Sequence, residues 1–192
     1  QIVKHLPMRK FFSAILLTLF ELTALAQQNV VDSLQNLINK LPADTVRVNR
    51  MNDLVGKLQY TDPVKAASVA AASVELAQKI NYTLGLATAY RLQGVLYVDR
   101  MVLDSGKLFY DKAYALVKEK NDRAFQKQLG LITHNYGAIY HKKQEYDSAV
   151  AKYIEAIQVF TAGRNEDLIF FPGTNLAAIY SFLKDHAKAL AY

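Results

Sequence analysis

The chain has 192 residues, 52% of them apolar and 21% charged, enough for a sizeable core under an ordinary charged surface. Its 8 Gly and 4 Pro are too few for a strand-rich fold crowded with turns and favour long helices with short connections. The net charge of +6 comes from lysines dispersed among Asp and Glu, so no basic stripe marks a nucleic-acid site, and the absence of cysteine excludes disulfides, thiolate metal sites and a Cys nucleophile.

In chain order, the first recognisable element is "MRKFFSAILLTLFELTALAQQ", from Met8. A short basic region (Arg9, Lys10) precedes an apolar core from Phe11 to Phe20, and "ALA" at 24–26 forms a small-x-small cleavage site. That order is that of a secretory signal peptide. The apolar run is shorter than the roughly 20 residues a membrane span needs. "QIVKHLP" before Met8 reads as upstream translated sequence, and residues 1–26 are set apart from the fold. The protein is therefore expected to be exported, to the periplasm. Residues 27–43 form a linker and a short capping helix: "DSLQNLINKL" places Leu34, Leu37, Ile38 and Leu41 on one face, and Pro42 ends it.

From residue 44 the chain repeats itself. Setting Gly94 on Gly137, an offset of 43, also sets Tyr97 on Tyr140, Gly106 on Ala149, Tyr110 on Tyr153 and Ala113 on Ala156. A further offset of 40 sets Gly137 on Ala177 and Tyr140 on Tyr180, and 40 backwards from Gly94 gives Leu54, with Ala66 and Ser73 under Gly106 and Ala113. Each unit reads as two helices. Asp62-Pro63 is an N-cap followed by a first-turn proline, Asp104 and Asp147 stand where second helices begin, and "NDR" (121–123) and "GRNED" (163–167) are turns between units. Pro172-Gly173 predicts a last first-helix that starts late or is kinked. A glycine inside a helix costs about 1 kcal/mol relative to alanine. The repeated small residue is therefore expected where the two helices of a unit press together, with Tyr97, Tyr140 and Tyr180 filling the space alongside. On that account Gly137→Leu destabilises by about 2–4 kcal/mol. The tyrosines Tyr90, Tyr97, Tyr136, Tyr140, Tyr153 and Tyr180 are read as core.

Catalytic patterns are missing: no Gly-rich phosphate loop, no HExxH, no GxSxG. His134 and His141 lie seven residues apart on one helix face without a carboxylate to complete a metal site, and no catalytic residue, metal or cofactor is expected.

The small–x–x–aromatic pattern of Gly94/Tyr97, Gly137/Tyr140 and Ala177/Tyr180, followed by Gly106/Ala113 and Ala149/Ala156, resembles tetratricopeptide repeats in a variant longer than the common 34 residues. The resemblance implies an all-α fold, a right-handed superhelical solenoid of antiparallel helix pairs. It implies about four units, at 44–81, 82–121, 122–164 and an incomplete 165–192, together spanning 44–192. It also implies a concave groove built by first helices, with Arg91, His134, Asn135, His141, Lys142 and Asn175 as candidate binding residues and Val95, Val98, Ala138, Thr174 and Ala178 beside them. Asn135 and Asn175 share one register, where an Asn in related arrays clamps a peptide backbone. The partner implied is a protein or peptide, and Arg91, His134 and Lys142 would favour an acidic segment or a C-terminal carboxylate.

The stretch "DTVRVNRMNDL…YTDPVKAASVAAASVELAQKINY" looks like the opening of secreted repeat regions of Bacteroidota-type bacteria. Those often precede a transmembrane helix and a histidine kinase or DNA-binding domain. The chain stops inside the second helix of its fourth unit, so the natural protein is expected to continue past Tyr192. The expected function is a non-catalytic interaction or sensing module in the periplasmic N-terminal part of a signalling protein. A stand-alone secreted scaffold, or an array serving an attached enzyme, are the competing readings.

Overall fold

The computed structural model describes Ser13 and residues 31–192, so the expected signal peptide lies outside the described residues. The chain divides into two compact units, Gln1–Pro42 and Ala43–Tyr192. In the first, helix α1 (31–40) buries Val31 and Ile38 and leaves Leu37 exposed. The Leu41 N–H donates to the Ile38 carbonyl, and the chain leaves the helix at Pro42.

The second unit is helical among the described residues. Its helices are α2 (Thr45–Leu58), α3 (Pro63–Lys79), α4 (Thr83–Asp99), α5 (Leu103–Val117), α6 (Arg123–Lys142), α7 (Tyr146–Ala162), α8 (Phe170–Phe182) and α9 (His186–Ala191). A 3-10 turn, Glu166–Leu168, precedes α8. Each helix packs on the next, most extensively within the pairs α4/α5 and α6/α7, and α2 reaches α4 as α4 reaches α6. The helices α2, α4 and α6 are thus neighbours in turn. No described helix is long and apolar enough to cross a membrane.

Local chemistry sets the helix ends. Asp44, Asp62 and Asp185 accept from the backbone N–H three residues on, which satisfies one of the orphan donors of α2, α3 and α9. Pro63 opens α3, where a missing N–H costs nothing. Asp104 and Asp147 stand in the first turns of α5 and α7, next to the positive ends of those helices. Pro172 falls in the first turn of α8, so this helix starts late and needs no kink.

The opposite ends share an unusual device. Asn81, Met101, Gln144, Arg164 and Lys184 close α3, α4, α6, α7 and α8 in the left-handed conformation, at φ of 53° to 62°. The next residue then donates back to a carbonyl five positions earlier: Val102 to Tyr97, Glu145 to Tyr140, Asp185 to Tyr180. These three turns recur at offsets of 43 and 40, the spacing of the sequence repeat. Glycine usually occupies such positions, yet no glycine here has positive φ.

Gly94, Gly130 and Gly137 are instead inside helices, beneath aromatic rings. A Cβ on Gly137 would lie 2.6 Å from Cε1 of Tyr153, and one on Gly94 would overlap the ring of Tyr110 in the same way. Tyr110 and Tyr153 are each 1% exposed. Gly130 seats Phe160 two turns further along the α6/α7 pair. The space beside the small column is thus filled by the second helix's own tyrosine. Tyr97, expected in the core, is 38% exposed and stacks on Phe109 with ring centroids 5.3 Å apart. Backbones do approach in α4/α5, where a Cβ on Gly106 would stand 3.1 Å from the Gly94 carbonyl oxygen. In the α2/α3 pair the sizes are exchanged: Leu54 holds the glycine's register and Ala70 the tyrosine's, both fully buried.

Candidate functional site on the first helices

The first helices are tied to one another by buried or half-buried polar side chains. On α2, Asn52 Nδ2 donates to the Gly85 carbonyl of α4 at 3.1 Å, and its Oδ1 accepts from Ser73 of α3 at 2.8 Å. On α4, Arg91 Nε donates to Gln128 Oε1 of α6 at 3.0 Å. On α6, His134 Nε2 lies 2.9 Å from Asn175 Nδ2 of α8. An amide nitrogen only donates, so His134 accepts there as the neutral ring protonated on Nδ1. Its ring packs on Tyr153 and Phe171.

Electrostatics follow from this burial. Desolvation lowers the Arg91 guanidinium to about 10, against an opposing interaction with Tyr110, and it stays charged at neutral pH. Desolvation also holds His134 below its ordinary value; a hydrogen bond with Asn135 works against that and the Arg91 charge adds to it. Burial raises Asp99, with Lys142 opposing.

The candidate residues therefore fall into two groups. Arg91, His134, Asn135 and Asn175 lie along the middle of the face, and all but Asn135 are joined to a neighbouring helix. Asn135 Nδ2 is buried without a hydrogen-bond partner. His141 and Lys142 lie at the far end of α6, where His141 meets the Tyr146 ring edge-on and Lys142 Nζ approaches Met101 Sδ at 3.9 Å. Seven residues of helix separate His134 from His141, about 10 Å of rise. Of the flanking positions, Val98 is buried in the core and cannot line a face, whereas Thr174 and Ala178 are exposed.

An open cleft of about 260 Å³ crosses α2, α4 and α6 nearer their N-terminal halves. Asn49, Asp53, Thr88, Lys127 and Gln128 line it with Asn52. Spacing alone missed these residues, although Asn52 stands in the register of Asn135 and Asn175 through Leu92. Amide, hydroxyl and one charge of each sign make the cleft polar and nearly neutral. Among the described residues, no three His, Asp or Glu gather closely enough to hold a metal ion.

No family model matches the chain, and no curated protein matches it. Among solved structures, BtubC (BKLC) from P. vanneervenii superposes with a TM-score of 0.63 at 21% identity, over 88% of this chain and 68% of that chain. The likeness is one of helical fold.

Proposed function

We propose that residues 44–192 form a tetratricopeptide-like array, a right-handed solenoid of helix pairs, that binds an extended segment of a protein partner across its first helices. The observation that carries this reading is the coincidence of three features at one spacing: the glycine-seated tyrosines, the left-handed turns and the sequence columns. A helix pair cannot bury its apolar face alone, and stacked pairs present first helices as a continuous surface. On this surface Arg91 and His134 are already engaged and Asp53 meets Arg50 at 3.7 Å, which leaves Asn49 and Lys127 as the available polar groups. They suit a peptide backbone and mixed side chains better than a carboxylate alone.

We further propose that the array is the exported sensing part of a larger membrane-anchored signalling protein, as the N-terminal segment and the resemblance imply. A photo-crosslinking residue at Asn49 or Lys127, in the full-length protein in its own cells, tests the binding face. One discrete adduct from these positions, and none from Lys118 or Glu119 at the end of α5, is the expected result. Equal labelling from both sets would refute the face. The reading frame past Tyr192 tests the wider role: a membrane helix and a kinase or DNA-binding domain support it, and an immediate stop overturns it.

A further inference from the structure

Two clefts on the other side of the first helices occupy the same place in successive repeats. One lies among α3, α4 and α5, lined by Ala67, Ala71, Gln93, Leu96, Tyr97, Arg100 and Phe109, with a volume of about 180 Å³. The other lies among α5, α6 and α7. By the repeat offsets, Ala67 and Ala71 correspond to Lys107 and Asp111, Gln93 to Tyr136, Tyr97 to Tyr140 and Phe109 to Lys152.

The second cleft is satisfied from within. Asp111 takes the Lys107 ammonium at 3.0 Å and the Tyr136 hydroxyl at 2.6 Å, and Glu155 takes Lys152 at 2.6 Å. In the first cleft those carboxylates are gone: alanine stands at the register of Asp111, and Lys112 at that of Glu155. Gln93, in the place of Tyr136, keeps a buried Oε1 with no hydrogen-bond partner. Arg100 bonds only the Pro63 carbonyl, through Nη2, which leaves donors of its guanidinium free. Lys112 lies over the Phe109 ring at 4.9 Å, so the surroundings are cationic with no lining carboxylate. The two alanines leave a bare floor, and the stacked rings of Tyr97 and Phe109 form an aromatic wall.

We infer that the α3/α4/α5 cleft is a binding site for a small para-hydroxyaryl carboxylate. The carboxylate meets Arg100, the ring lies along Tyr97 and Leu96 over the alanines, and the hydroxyl donates to Gln93 Oε1. Gln93 and Arg100 are seven residues apart on α4, about 10 Å of helix rise, which matches the span of such a ligand once both side chains lean inward. Anion, ring and donor supply what Asp111, Lys107 and Tyr136 supply to each other one repeat later. The cleft shares no lining residue with the polar cleft across α2, α4 and α6, so this inference stands apart from the peptide-binding proposal.

Calorimetric titration of the whole chain with 4-hydroxyphenylacetate tests it. Saturable one-to-one binding is expected, weakened about tenfold by Arg100→Gln through loss of a charge-assisted contact. Phenylacetate, which lacks the hydroxyl, is expected to bind about fivefold more weakly. The double variant Ala67→Lys/Ala71→Asp installs the next repeat's own ion pair on exposed or half-exposed positions, and is expected to abolish binding with an unchanged circular-dichroism spectrum. Absence of saturable binding at millimolar concentration overturns the proposal, as does binding that both variants leave intact. Equal binding of uncharged N-acetyltyrosinamide would show the site to take a tyrosyl side chain and would overturn the carboxylate assignment.

Discussion

Replacing Gly137 by alanine sets two effects of known size against each other. Alanine restores about 1 kcal/mol of helix propensity in the middle of α6. Its methyl, however, would stand 2.6 and 2.7 Å from Cε1 and Cδ1 of Tyr153, about 1 Å inside ordinary contact. Tyr153 is 1% exposed and its ring also meets His134, so it has no solvent to retreat into. Overpacking of this kind costs about 3 kcal/mol at the upper end of its usual range, leaving a net loss of about 2 kcal/mol. Gly56 is the control, because a Cβ there meets nothing within 4 Å, and Gly56→Ala should stabilise by about 1 kcal/mol. Urea titration followed by far-UV circular dichroism measures both, with m expected to stay constant. In a Tyr153→Leu background the ring is gone, and Gly137→Ala should become neutral or stabilising, a coupling of about 2–3 kcal/mol. If Gly137→Ala stabilises as much as Gly56→Ala, the seating of the tyrosine on the glycine is not what holds α6 against α7. Gly137→Leu, with three more carbons to place, should cost more than the alanine variant.

Three further outcomes follow from the same structure. Met101→Gly, Gln144→Gly and Lys184→Gly should each raise the urea midpoint by an amount equivalent to about 0.5–1 kcal/mol, because left-handed strain is relieved by more than the unfolded chain gains in freedom. Asn52→Ala removes two buried hydrogen bonds and leaves the fully buried Ser73 hydroxyl without its acceptor, and should cost about 2–3 kcal/mol in the same titration. His134 is held neutral in the fold, while the unfolded ring protonates near pH 6.5. Its contribution is therefore absent above about pH 7, and stability falls as pH drops below the unfolded value, by at most about 1.4 kcal/mol per pH unit. Urea midpoints at pH 7.5 and 5.5 should differ more for the wild type than for His134→Asn, and equal differences would count against a buried neutral ring.

Much of the helix layout was legible in the residues. Periodicity, Asp62-Pro63 and the polar turns place the helices, because caps and breakers act within a few residues of themselves. The glycine column was legible as a packing site, but its partner was not: spacing within α6 cannot say that Tyr153, sixteen residues on, turns its ring onto Gly137. The left-handed turns escaped because Met101, Gln144 and Lys184 are not the residues that such turns usually select, and only the backbone shows them. On the candidate site, register places Arg91, His134 and Asn175 on α4, α6 and α8, where hydrogen bonds link Arg91 to α6 and Asn175 to His134. It does not show that these side chains satisfy one another. An Arg read along a helix looks free until Gln128, 37 residues away, is found beside it.

The polar links between first helices carry a mechanical meaning. Each is a single tether between adjacent rods, and the tethers differ in stiffness along the row. The Arg91–Gln128 tether bears a charge, and such bonds hold with about twice the strength of neutral ones. Asn52 grips two helices at once. The last tether, His134 to Asn175, is one neutral bond to a ring that a proton can occupy. Of the three tethers, the one between α6 and α8 is thus the weakest, and the one that acid loosens, because a proton on Nε2 removes the acceptor.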